Sequence, residues 1–121
     1  MGTSSDYGLG NLWLIRFDPS IGSEIRKTRP GLIISATDFN QRSRVTVLPI
    51  TSATPNAKML PVMIAIEPSE INGLDTPSHV VCIDPATFDK KRLIRRLGQL
   101  EAEQISQIKR ILTAYLDLES P

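Results

Sequence analysis

Short apolar runs broken by turn residues occupy most of the chain, and a helical period takes over only near its end. Residues 11–19, NLWLIRFDP, join apolar and aromatic residues and then meet Asp-Pro, a strand followed by a breaker. Residues 31–35, GLIIS, are too short for a helix and carry two isoleucines, as a buried strand does. Residues 44–50, RVTVLPI, set Val45, Val47 and Pro49 against Thr46, Leu48 and Ile50, with the proline expected at a strand end or edge. Two further strands are expected over 62–66 (VMIAI) and 79–83 (HVVCI). Between the strands, TDFN at 37–40 is turn chemistry and 51–60 reads as loop. Asn72-Gly73 marks a turn in a connection too long for a tight hairpin. Residues 92–100, RLIRRLGQL, fit either a short strand or a helical turn.

From 101 to 118 the apolar residues Ile105, Ile108, Ile111, Leu112, Tyr115 and Leu116 line one face of a helix. Glu101 and Glu103 suit its positive end, although no Ser, Thr, Asp or Asn stands at the expected cap. A run of strands and then one helix indicates an α+β, mainly β fold, a small curved sheet or barrel capped by that helix. A flexible N-terminus is expected over 1–9, followed by one domain over 10–121.

Composition narrows the class. A chain of 121 residues with 40% hydrophobic and 22% charged residues can bury a core without staples. Its one cysteine, Cys82, permits no internal disulfide, and with no signal segment in view the expected compartment is the cytoplasm. No apolar run approaches the roughly 18 residues of a membrane span. The net charge is +1, so any polyanion site must be local.

Several chemistries are absent. There is no phosphate loop of the GxxxxGK[ST] type, no paired-cysteine spacing and no HExxH. With one His and one Cys, a metal site of N and S ligands is not expected, and no cofactor is. His79 reads as a strand-edge residue or a catalytic base, and Cys82, inside VVCI, as a small buried hydrophobe.

The densest candidate is residues 22–35, GSEIRKTRPGLIIS. Glu24, Arg26, Lys27 and Arg29 crowd between glycines, which suits either a solvated turn or an anion site. Pro30 biases Arg29 toward extended backbone at a strand mouth, where its forked, permanently charged guanidinium suits phosphate oxygens. Thr51 and Ser52, in PITSA, put two hydroxyls at another strand end, either as phosphate donors or as a plain capped turn. The run KKRLIRR, 90–96, carries five cationic residues, a solvated face or a track for RNA phosphates. Trp13 and Phe17 suit core packing or base stacking.

Taken in order, FDPS-x-GSE-x-x-x-x-RPGLIIS, Asn40, V-x-V-x-P-I-T-S at 45–52 and D-K-x-R-L at 89–93 resemble the MazF/PemK/Kid toxins. GNLW is similar to that family's opening, with Asn11 for the usual Asp. The resemblance covers about residues 10–118. It implies a homodimer of SH3-like barrels of five to seven strands with a C-terminal helix. It also implies a metal-independent endoribonuclease that cuts single-stranded mRNA at short motifs. There the 2′-hydroxyl attacks its own phosphodiester and leaves a 2′,3′-cyclic phosphate and a 5′-hydroxyl. A cognate antitoxin would lay a C-terminal segment over the RNA groove.

Carried onto this sequence, the resemblance makes Arg29, Thr51 and Glu24 the catalytic set. Arg29 would stabilise developing phosphorane charge, and Thr51 would hydrogen-bond the phosphate. Glu24 would orient Arg29, act as a base, or shape the loop. Ser23, Arg26, Lys27, Ser52, Asp84 and Thr87 would contact RNA. One segment departs from the pattern. Where relatives carry Gln-Ile-Arg-Thr or Asp-Gln-Pro-Arg-Thr, this chain has Ile83-Asp84-Pro85-Ala86-Thr87, so Ala86 replaces the arginine. Two other readings stay open: a CcdB-like gyrase poison, whose Trp-Gly-Ile C-terminus is not the Leu-Glu-Ser-Pro found here, and a non-catalytic antitoxin binder.

Overall fold

The alternation along residues 44–50 is buried on both sides: Val45 and Val47 enter one core, Leu48 and Ile50 another. The computed structural model describes residues 4–17 and 28–118. Its strands are β1 (Asn11–Arg16), β2 (Thr28–Ile33), β3 (Arg44–Thr51), β4 (Met63–Ile66), β5 (Ser78–Val81), β6 (Ala86–Asp89) and β7 (Leu93–Gln99), followed by helix α1 (Ala102–Tyr115). Every pairing is antiparallel, and the sheet is open, running β4-β5-β3-β2-β1-β7 with β6 beside β3. This is the expected mainly β architecture with its terminal helix. Residues 92–100, ambiguous in sequence, are largely strand β7, bulged twice against β1.

Of the two places expected for Pro49, a strand end or an edge, it takes a locally open edge: it lies inside β3, opposite Gly31 of β2. The far edge of β3 explains the tolerance. Arg44–Val47 pair with β6 and Ile50–Thr51 with β5. Pro49, with no N–H to donate, falls in the gap between those two pairings.

Under α1 lies the larger core, where Ile108 and Leu112 meet Leu12, Leu32, Leu48 and Val80. The helix face is shorter than its sequence period suggests, because Tyr115 and Leu116 are exposed. Glu101 caps the helix without a side-chain hydrogen bond. The second core, on the other sheet face, gathers Trp13, Ile15, Ile33, Val45, Val47 and Leu93, with Tyr7, Phe17 and Phe88 against it.

Residues 4–9, within the segment expected to be flexible, begin with a 3-10 turn (Ser4–Tyr7) fastened to the second core. Tyr7 stacks on Trp13 at 4.8 Å, and the indole Nε1–H donates to the Asp6 carbonyl. Asn40 Nδ2 donates to the Tyr7 carbonyl, so this motif residue ties the N-terminus to the 3-10 turn Thr37–Gln41.

Cys82 is buried under α1, and burial pushes its thiol from the ordinary 9.0 up to about 11. The folded state holds that proton more tightly, so the contribution to stability is full below pH 9.0 and is lost as pH rises through about 11. The native protein at pH 8 is expected to resist iodoacetamide and to alkylate readily in guanidinium, scored by mass spectrometry. Rapid labelling of the folded chain would contradict the burial.

Candidate active site

Strand register sets the polar residues of the sheet's end in a row. Gly31 on β2 opposes Pro49 on β3, where that pairing ends, and two residues farther out on each strand Arg29 and Thr51 line one cleft. Arg29 also opposes Ile15 of β1, and Thr51 opposes His79 of β5. Directly opposed residues share a sheet face with their Cβ atoms about 5 Å apart. Thr51 and His79 therefore form a cross-strand row, and Arg29 borders the same cleft as Thr51.

Arg29 and Thr51 border a cleft of about 610 Å³, lined also by Ser52 and by residues distant in sequence; Ser78 of β5 is among them and His79 is not. Leu14, Ile50, Leu74 and Leu97 supply apolar wall. Arg95 adds a second cation, Asp75 a carboxylate, and Thr76 and Ser78 hydroxyls. Two cations against one carboxylate, with hydroxyls beside them, favour an anionic ligand.

The local bonding leaves the key groups available. Among the described residues no hydrogen bond or ion pair engages the Arg29 guanidinium. Thr51 Oγ1 accepts the Ala53 N–H at 3.1 Å, which leaves the hydroxyl proton free to be donated outward.

Asp75 and Thr76 reach the cleft through an unusually close crossing. Asn72, buried, accepts from the N–H groups of Ser69 and Leu74 and donates to the Glu67 carbonyl. Beside it Gly73 has a φ of +70°, and a Cβ there would lie 2.0 Å from the Leu97 carbonyl oxygen. Across the contact, a Cβ on Gly98 would lie 2.1 Å from the Ile71 oxygen. Two glycines thus let the loop backbone rest directly on β7, and the Gln99 N–H donates to the Ile71 carbonyl at 2.9 Å.

Not every expected RNA contact joins this site. Ser23, Glu24, Arg26 and Lys27 lie outside the described residues. Thr87 does not line the cleft: it pairs with Thr46 on β3, their hydroxyls 2.7 Å apart. Thr46 is five residues from Thr51 along extended chain, roughly 17 Å. Asp84 is exposed between β5 and β6 and does not line the cleft either.

The basic run divides by partner. Lys90 sits 4.5 Å over the Tyr7 ring and Arg92 5.3 Å over Phe88. Arg96 donates to Asn11 Oδ1 at 2.6 Å. Arg95 is the member that faces the cleft. Its neighbours' shared charge hid it in the sequence, as did Asp75, Thr76 and Ser78 in a stretch with no motif of its own. Trp13 is 5% exposed and stacked on Tyr7, and Phe17 meets Phe88 edge-on, so both aromatics pack rather than present free faces. Among the described residues no three His, Cys, Asp or Glu side chains cluster as a metal site, and no helix is long and apolar enough to cross a membrane.

Comparison with known proteins bears on what this cleft does. A family model described as PemK-like, MazF-like toxin of type II toxin-antitoxin system matches residues 9–116. The chain is similar to the endoribonuclease PemK of Escherichia coli, 32% identical over 115 residues that cover 90% of this chain and 84% of that protein. It is similar also to the endoribonuclease MazF9 of Mycobacterium tuberculosis, 28% identical over 117 residues covering 92% and 97%. Among solved structures, a mycobacterial endoribonuclease in complex with its cognate antitoxin shares the fold. Its TM-score is 0.73 at 23% identity, with 94% of this chain and 98% of that chain covered.

Proposed function

This chain belongs to the PemK-like, MazF-like toxins of type II toxin-antitoxin systems, and from that premise we propose that it is an endoribonuclease cutting single-stranded mRNA without a metal ion. The observation that carries the reading is that Arg29, Thr51 and Ser52 line one cleft with Arg95, against the single carboxylate of Asp75. In this reading the 2′-hydroxyl attacks the adjacent phosphorus, the P–O5′ bond breaks, and a 2′,3′-cyclic phosphate and a 5′-hydroxyl result. Charge grows on the non-bridging oxygens as the phosphorane forms. Arg29 stabilises it with a preorganised fork, and Thr51 donates one hydrogen bond. A guanidinium keeps its proton in water, so its role is electrostatic rather than acidic.

Ser52 and Arg95 hold the flanking backbone. Asp84 and Thr87, remote from Arg29 within one protomer, meet RNA away from the cut, and Ser23, Arg26 and Lys27 draw the strand in. Glu24 orients Arg29 from the connecting loop. The protein works in the cytoplasm as a homodimer, restrained by a cognate antitoxin whose C-terminal segment occupies the same groove.

Incubation of the purified protein with long RNA in EDTA, followed by end mapping, tests this. Expected are cuts at a repeated short motif leaving cyclic phosphate ends. RNA left intact while an antitoxin peptide still binds would mark a non-catalytic member. Trapping of gyrase on DNA instead would mark a poison of the CcdB kind.

A further inference from the structure

Transfer of the 2′-hydroxyl proton needs an acceptor, and the row described above ends on one. His79 is the chain's single histidine, half-exposed, and it opposes Thr51 across β3 and β5. Thr51 in turn lines the cleft with Arg29. Thr51 lines the cleft and His79 does not, but their Cβ atoms sit one cross-strand spacing apart, about 5 Å, so a phosphodiester hydrogen-bonded to Thr51 would come within reach of the imidazole.

We propose that His79 is the general base of this nuclease. The inference rests on the endoribonuclease reading above. As O2′ bonds to phosphorus and the P–O5′ bond breaks, the 2′-hydroxyl proton passes to the neutral imidazole. The 5′ oxygen leaves with a proton taken from water, and the imidazolium returns its proton to solvent.

The surroundings suit that role. Among the described residues no hydrogen bond or ion pair engages the ring. From β3 it faces uncharged Thr51, and from β4 uncharged Ala65. Arg29 shares the cleft with Thr51, and Glu67 follows two positions after Ala65. Imidazole is the ordinary side chain that changes charge between about pH 5 and 8, which matches a base to neutral conditions. Asp75, the cleft's carboxylate, enters from the loop rather than from the row.

Single-turnover cleavage of an RNA oligonucleotide containing the mapped motif, followed from about pH 5 to 8, tests the assignment. Wild type should speed up with pH and then level off. His79→Gln and His79→Ala should cut about 100-fold more slowly and lose that rising limb. Both should keep the wild-type circular dichroism and bind an oligonucleotide with 2′-deoxyribose at the cut as wild type does. A substrate with sulfur for the 5′ oxygen needs no acid to release its leaving group, so the variants' defect should persist on it.

Variants that keep the wild-type rate and limb overturn the proposal while leaving the endoribonuclease reading intact. Recovery on the sulfur substrate overturns it too, because that behaviour belongs to an acid. RNA uncut by wild type removes both readings together.

Discussion

Arg29→Ala is expected to slow RNA cleavage by about a thousandfold without unfolding the protein. The size follows from what the guanidinium would do: a forked cation fixed at a strand mouth needs no reorganisation as phosphorane charge develops. Its local setting predicts that the fold survives. Arg29 is only half-buried, and among the described residues no ion pair or hydrogen bond depends on it. Its removal strands no buried partner, so stability should change by about 0.5 kcal/mol or less. Arg29→Lys separates charge from geometry. A point charge cannot make two parallel hydrogen bonds, so this variant should still cut about a hundredfold more slowly than wild type. Single-turnover rates with matched RNA binding and thermal melts measure both effects. Near-normal cleavage by the lysine variant would remove the forked contact from the mechanism.

Gly73→Ala is expected to produce the largest loss of stability, about 3 kcal/mol or more. Two costs add at this position. An L side chain at a φ of +70° carries roughly 1–2 kcal/mol of strain. The new methyl would also lie 2.0 Å from the Leu97 oxygen, a backbone atom of β7 that no rotamer change can move, and overpacking of this kind costs typically 1–3 kcal/mol. Relief requires the loop to lift, which would break the Gln99 N–H bond to the Ile71 carbonyl. Gly98→Ala reaches the same contact from the other side, its methyl 2.1 Å from the Ile71 oxygen. Urea unfolding of both variants measures the loss. A midpoint within error of wild type would show that the two backbones have room to part. A lifted loop would also withdraw Asp75 and Thr76 from the cleft, so surviving activity should fall beyond the folded fraction.

What was legible in the sequence follows the range over which each signal acts. β1, β3 and α1 rest on local periodicity, and residue pattern suffices for them. β6 carries no such signal, because Ala86–Asp89 is four residues of mixed burial that exist as a strand only through pairing with β3. Which of its two expected places Pro49 takes was hidden for a related reason, since the open edge depends on how two other strands divide one side of β3. At the site, Arg29 and Thr51 stand out through motifs beside strand ends. Arg95, Asp75, Thr76 and Ser78 converge by tertiary folding from segments whose own patterns are undistinguished. The Asn72-Gly73 turn was readable, but its embrace of β7 depends on Gly98, 25 positions later.

The divided edge of β3 has a bearing on how this protein can diverge from its relatives. Ala86, where the family resemblance leads one to expect an arginine, pairs with Val47, on one side of Pro49. Thr51 and His79 pair on the other side. Among the described residues no strand pairing along that edge links the two halves, so changes in residues 83–87 can accumulate with little disturbance to Thr51 and His79. If residues 83–87 meet RNA as proposed, such an arrangement would let a toxin drift in the sequences it prefers while the chemistry of cutting is inherited unchanged.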